Sequence, residues 1–272
     1  GIKLEIFHVH DNLIIDPSAI ASAIDEDTEL VTMTHVSNAF GTRQPVKEVG
    51  KIAEEEDVLF SVDASQSVGY EPVDVKEINC DFLAAPGHKG LLGPQGTGLL
   101  YVSDKIKSEI SPLLYGGGMV RSVSETEAEF AESPQIFDAG TPNIPGFIAL
   151  GRAVEYLQDI GVDEVRDRKR ELTDILLDLV EEENVKIYGS ENLDDLGGIV
   201  SFNIEGLDHH EVASILDETE NIAVRSGYHC AEPAFDFLNI PGNVRASVNF
   251  YNTESEVKKL LSYVSKIVGD LI

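Results

Sequence analysis

Four short stretches place reactive side chains beside glycine-containing turns. SVDASQSVG sets Asp63 at the end of an apolar run, with Gln66 three residues later. LAAPGHKGLLGPQGTGLLYV sets His88 and Lys89 at a tight turn between two apolar runs. AGTPNIPG (139–146) offers the hydroxyl of Thr141 and backbone N–H groups just ahead of a helical pattern, and RSGYHCAEP (225–233) puts Cys230 next to His229 on a loop. Each has a functional and an ordinary reading. A lysine held in a pocket can be neutral and nucleophilic; one facing water is a surface residue on a glycine loop. Asp63 can face a cationic ring nitrogen or cap the next turn. Cys230 can be a reactive thiolate or an inert buried thiol. The hydroxyl loop is a fair phosphate or anion site, though weak alone.

Together they point one way. An acid for a pyridinium, a lysine for an aldehyde and a hydroxyl loop for a phosphate are a protein's tools for holding pyridoxal 5'-phosphate (PLP). In an open α/β sheet, ligands lie beyond the carboxyl ends of the strands, where Asp63 and then Lys89 fall in chain order.

The elements that position them alternate. LVTMTHVS (30–37), VLFSVDAS (58–65), CDFLAA (80–85) and TGLLYV (97–102) read as buried strands. Pro45 opens a helix with Val46, Val49, Ile52 and Ala53 on one face. Strands separated by helices predict a three-layer α/β architecture with a largely parallel sheet. Residues 111–140 read as irregular. Beyond Pro145, two amphipathic helices lead into VKIYG, GIVSFNIEG, a helix over DHHEVASILDETE, IAVRSG, RASVNF and a last helix, predicting a small α+β unit. The expected division is 1–160 and 161–272.

The 272 residues carry 49 acidic and 20 basic side chains, a formal net charge of −29. Such a surface repels nucleic acid and anionic membranes; it fits either a cytoplasm of high ionic strength, where screening tolerates the repulsion, or simple solubility. No apolar run reaches the ~18 residues of a membrane span, and no signal-peptide pattern opens the chain. Cys80 and Cys230 match neither a disulfide framework nor a metal spacing, so a cytoplasmic setting and no metal are expected.

The stretches THVSNAFGTRQPV, SVDASQSVGYEPVDV, CDFLAAPGHKGLLGPQGTGLLYV, AGTPNIPGFIALGRAVEYL, IAVRSGYHCAEP and VRASVNFYNTESEV, from near Asp16 to the C-terminus, resemble class V aminotransferase-fold enzymes, and within them the cysteine desulfurases of the type II kind. The resemblance implies an aspartate aminotransferase-like (fold type I) large domain, lacking its N-terminal part, followed by a small C-terminal domain. It implies that Lys89 binds the PLP aldehyde, Asp63 pairs with the pyridine nitrogen, Gln66 bonds the phenolic oxygen and His88 the phosphate. Thr141 would reach the phosphate of a neighbouring subunit in a homodimer. Asn38 and Arg245 would hold the substrate carboxylate, Arg225 would shape the loop, and Cys230 would take sulfur from L-cysteine as a persulfide, leaving L-alanine. Cys230 and Arg245 are fifteen positions apart, a compact loop that suits the type II kind. The expected recipients of the sulfur are an acceptor protein or an iron–sulfur scaffold. The other readings are a different class V activity (aminotransferase, selenocysteine lyase or epimerase), one piece of a split enzyme, and a non-catalytic module.

Two departures accompany the resemblance. Pro86 stands where many relatives have a Ser or Thr, and supplies neither hydroxyl nor N–H to a phosphate. The family's upstream Gly-Thr-Thr-type loop and stacking His have no counterpart here: His8 and His10 sit in the wrong context and His35 is expected to pack near the site. Loss of upstream strands would leave a sheet edge and apolar surface exposed.

Overall fold

A computed structural model describes residues 1–7, 9 and 12–271, the side chain of Leu271 aside; His8 and His10 lie outside the described residues. The chain builds two four-stranded sheets, each with its own apolar cluster. The first orders β1 (Leu30–Thr34), β2 (Leu59–Asp63), β3 (Phe82–Pro86) and β4 (Gly98–Val102) consecutively. β1, β2 and β3 run parallel, and β4 returns antiparallel to β3. The parallel crossovers are α2 (Val46–Glu55) and the single turn α3 (Val75–Ile78), preceded in sequence by α1 (Pro17–Ala23), a short helix capped by Asp16.

Side-chain alternation along the strands sends Phe60, Val62 and Leu83 into a core with Ile20 of α1, Val46, Val49 and Ala53 of α2, and Ile78 of α3. The opposite face stays open among the described residues: Leu100 is 61% exposed and lies across from the exposed Ala84.

The irregular 111–140 segment contains a hairpin, β5 (Val120–Val123) and β6 (Ala128–Phe130). Its strands are mostly exposed, so no buried alternation marked them in sequence. α4 (Ile144–Ile160) and α5 (Val162–Leu177) meet at Gly161, whose φ of +95° turns the chain between them.

The second sheet orders β7 (Val185–Tyr188), β8 (Ile199–Ile204), β10 (Asn243–Ser247) and β9 (Arg225–Gly227), antiparallel throughout. α5, α6 (His209–Glu220) and α8 (Glu254–Leu271) cover it; Leu172, Leu176, Phe202, Leu216, Val244 and Val264 are fully buried in one cluster. α7 (Glu232–Leu238) lies between β9 and β10 and buries Phe235 against Phe40. Within IAVRSG only Arg225–Gly227 is strand.

Candidate functional site

β2 and β3 end side by side, with Asp63 in register with Ala84. Asp63 closes β2, and its Oδ1 accepts a 2.9 Å bond from the Ser65 N–H. The capping reading is therefore realised, yet the carboxylate stays exposed and has no cation partner among the described residues. Gln66 follows in the same turn, half-buried. Beyond β3, His88 is exposed and Lys89 half-buried, also without an ion-pair partner.

Backbone bonds close the turn around Lys89: Gly87 N–H to Thr97 O (2.8 Å), Gly93 N–H to Gly87 O (2.7 Å) and Leu92 N–H to Lys89 O (2.9 Å). The loop after Asp63 and the loop after Lys89 are also pressed together. A Cβ on Gly69, where φ is +82°, would lie 2.4 Å from the Gly90 carbonyl carbon. Only glycine permits that approach, so Asp63, Gln66, His88 and Lys89 share one fixed end of the sheet.

A second group gathers on the other sheet. Arg245 of β10 donates to Asn38 O (2.8 Å), and Asn38 Nδ2 donates to His229 O (2.7 Å). Arg225 of β9 is in register with Arg245. Arg245 Nε is buried without a hydrogen-bond partner, and no described carboxylate lies within ion-pairing distance of either arginine. Burial lowers the Arg245 pKa, the Arg225 cation lowers it further, and the Cys230 sulfur acts in the opposite sense. Such an uncompensated guanidinium is set up to receive an anion.

His229 and Cys230 both adopt left-handed φ, +50° and +61°, a conformation that costs non-glycine residues about 1–2 kcal/mol each and that collects at functional sites. The turn leaves Cys230 exposed and buries the His229 ring. His229 Nε2 lies 2.6 Å from Asn243 Oδ1. Burial lowers the His229 pKa; the Asn243 bond opposes this, and Arg245 and Arg225 add to it. The ring is committed to Asn243. The cation whose charge interacts with Cys230 is Arg245.

The segment His35–Arg43 joins the two groups. His35 N–H donates to Asp63 O (2.9 Å), and Asn38 follows three residues later. The Ser201 hydroxyl holds Ala39 O, and a Cβ on Gly41 (φ +75°) would strike Ile199 O at 2.2 Å. His35 is buried with Nδ1 unpartnered, and lines a cavity with Arg43 and Lys47. Thr141 stands apart, exposed ahead of α4, whose first turn is capped by Asn143 Oδ1 accepting from Gly146 N–H (3.1 Å).

The donor set suits PLP: an unpaired carboxylate at Asp63, an unpaired amine at Lys89 and an orphaned guanidinium at Arg245. Among the described residues no cluster of three or more His, Cys, Asp or Glu suits a metal, and no helix is long and apolar enough to cross a membrane.

Sequence reasoning missed Lys169, which is buried at 6% exposure on α5. The signal was present: it lies on the stripe of Val165, Leu172 and Leu176, where apolar side chains belong.

Comparison with known proteins places these features in a family. The class V aminotransferase model matches residues 1–260. A probable cysteine desulfurase of Methanothermobacter thermautotrophicus is 44% identical over 99% of this chain and 68% of its own length. One from Pyrococcus abyssi is 42% identical over all of this chain and 67% of its own. The apo structure of a cysteine desulfurase from Thermococcus onnurineus NA1 superposes with a TM-score of 0.93 at 41% identity, covering 98% of this chain and 66% of that one. The chain thus spans about two thirds of the length of these relatives, and the expected fold type I architecture is borne out by the superposition. The chain belongs to the class V aminotransferase family, alongside relatives that are cysteine desulfurases.

Proposed function

We propose that this chain is the lysine- and cysteine-bearing part of a PLP-dependent cysteine desulfurase. The observation that carries the reading is Arg245: a half-buried cation with an unpartnered Nε and no described carboxylate within ion-pairing distance, whose charge interacts with the exposed Cys230. An amino acid offers the missing anion, and a thiol beside its binding point suits sulfur transfer better than transamination, which has no use for one.

Asn38 and Arg245 bind and orient the carboxylate of L-cysteine. Lys89 holds the cofactor, then moves the proton at the substrate Cα. When PLP is bound, Asp63 would pair with the pyridine nitrogen and Gln66 and His88 would hold the ring oxygen and phosphate, with Thr141 serving a second subunit and Arg225 shaping the Cys230 loop. Bound PLP supplies an electron sink for the carbon released from sulfur. The Cys230 thiolate attacks the substrate sulfur, an S–S bond forms as the C–S bond breaks, and the protons return to carbon. L-cysteine plus the Cys230 thiol gives L-alanine plus a Cys230 persulfide, with no external oxidant. An acceptor protein or iron–sulfur scaffold then takes the sulfur. We place the division between a PLP-binding unit and a small unit at 160/161, and expect a cytoplasmic homodimer.

The intact protein, given PLP and L-cysteine under reductant, releases sulfide and alanine in equal amounts. Cys230→Ala loses turnover and keeps the cofactor's visible absorbance. Turnover retained in that variant points to another class V activity.

A further inference from the structure

The strongest feature outside the site is a cavity of about 560 Å³ between the first sheet's loops and α5. Its arginines are already spent: Arg43 on Glu71, Arg166 on Asp163 and Asp167, Arg170 on Asp194. It therefore offers little to an incoming anion. Its unusual member is Lys169, which has no ion-pair partner among the described residues. Lys169 Nζ donates to Gly197 O (3.1 Å) and stands 3.7 Å over the centre of the Tyr70 ring. It reaches both because Gly198 is bare there: a Cβ would lie 2.5 Å from Lys169 Cε.

Tyr70 continues the contact toward the site. A Cβ on Gly90 would be 3.0 Å from Tyr70 Cδ2 and 2.2 Å from Val68 O. The ring thus packs on the backbone of the residue that follows Lys89. Its hydroxyl accepts a 3.4 Å bond from Asn249 Nδ2, and burial pushes the phenol up to about 12, so the ring stays neutral.

Resting on the proposed function above, we infer that Lys169 and Tyr70 form a strut: α5 presses the Tyr70 ring, through the Lys169 ammonium, onto Gly90 and so fixes the height of Lys89 at the end of β3. Both are positioning residues, acting through Gly90. The cation holds the ring by its quadrupole, and Arg can replace Lys on an aromatic face. Burial lowers the Lys169 pKa to about 8, opposed by Glu71 and reinforced by Arg43, so the ammonium is still mostly charged at neutral pH.

The test uses the intact, PLP-loaded protein. Lys169→Met is expected to shift the visible absorbance of PLP held by Lys89 and to lower kcat about tenfold, the scale of a sub-ångström misplacement. KM for L-cysteine stays within about twofold, because Asn38 and Arg245 are held separately. Lys169→Arg restores both absorbance and kcat. Tyr70→Leu reproduces the Met variant, and gives the same readout should Lys169→Met not fold. Unchanged absorbance and kcat in Lys169→Met or Tyr70→Leu, beside a normal wild-type band, overturn the strut alone. Lack of any borohydride-sensitive, Lys89-dependent band in the wild type overturns the functional reading beneath it.

Discussion

Arg225 on β9 stands in register with Arg245 on β10, and no described carboxylate lies within ion-pairing distance of either. Like charges opposed across a strand pair are destabilising, and β10 adds burial to the repulsion on Arg245. The arrangement makes sense as half of an ion pair whose other half arrives with the substrate.

Replacing Arg245 by Met removes a charge-assisted contact of about 1.5–3 kcal/mol. That corresponds to a rise of roughly 10- to 150-fold in KM for L-cysteine. Arg225 is exposed, and Arg225→Met is expected to cost under tenfold because water screens its charge. Steady-state kinetics on the two variants checks the order; an unchanged KM in Arg245→Met removes Arg245 from substrate binding.

Cys230 gives a prediction that separates stability from turnover. Its φ of +61° strains any side chain and is free for glycine. Cys230→Gly and Cys230→Ala are both expected to lose sulfide release, while the Gly variant melts higher than the Ala variant by about 1 kcal/mol of stability. Calorimetry beside the sulfide assay decides it. Equal melting of the two variants shows the turn to be unstrained.

The contact between the Asp63 and Lys89 loops is testable through its glycines. Gly90→Ala drives a Cβ to 2.2 Å from Val68 O, a backbone atom that cannot swing aside. Overpacking of this kind costs about 1–3 kcal/mol, or a few degrees in Tm for a chain of this size. Gly151→Ala is the control: it lies on α4 with nothing within 4 Å of a new Cβ, and gains helix propensity of up to about 1 kcal/mol. Opposite shifts in Tm are expected.

Much of this was legible in the sequence, for physical reasons that can be located. β2 and β3 show as apolar runs because both sit inside the sheet, and Asp63 shows because an acid ends one of those runs. α2 shows because Val46, Val49 and Ala53 repeat on one face. The hairpin β5–β6 did not show, because its burial pattern carries almost no inward side. β9 is shorter than the apolar stretch IAVRSG suggests, since pairing with β10 spans only Arg225–Gly227. The commitment of His229 to Asn243, and of Lys169 to Tyr70, are contacts between residues far apart in sequence that no local pattern encodes.

His229 supplies a pH dependence whose sign can be worked out. The groups facing it are Asn243, Arg245 and Arg225; burial, reinforced by the two arginines and opposed by the Asn243 bond, lowers its pKa below 6.5. Above about pH 6.5 the ring is neutral folded and unfolded, and the full stability is present. As pH falls through that value the unfolded chain takes up a proton that the folded ring refuses, so stability declines until pH passes the lower, folded pKa. His229→Asn removes the titration and suits the left-handed backbone, which Asn tolerates. Its stability between pH 7.5 and 5 is therefore expected to fall less steeply than that of the wild type, as measured by denaturant unfolding at fixed ionic strength. Carboxylate repulsion in a chain of charge −29 changes equally in both proteins and cancels in the difference. Parallel slopes would place the protonated ring in an environment that accepts it, and with that the neutral His229 beside Cys230 would be wrong.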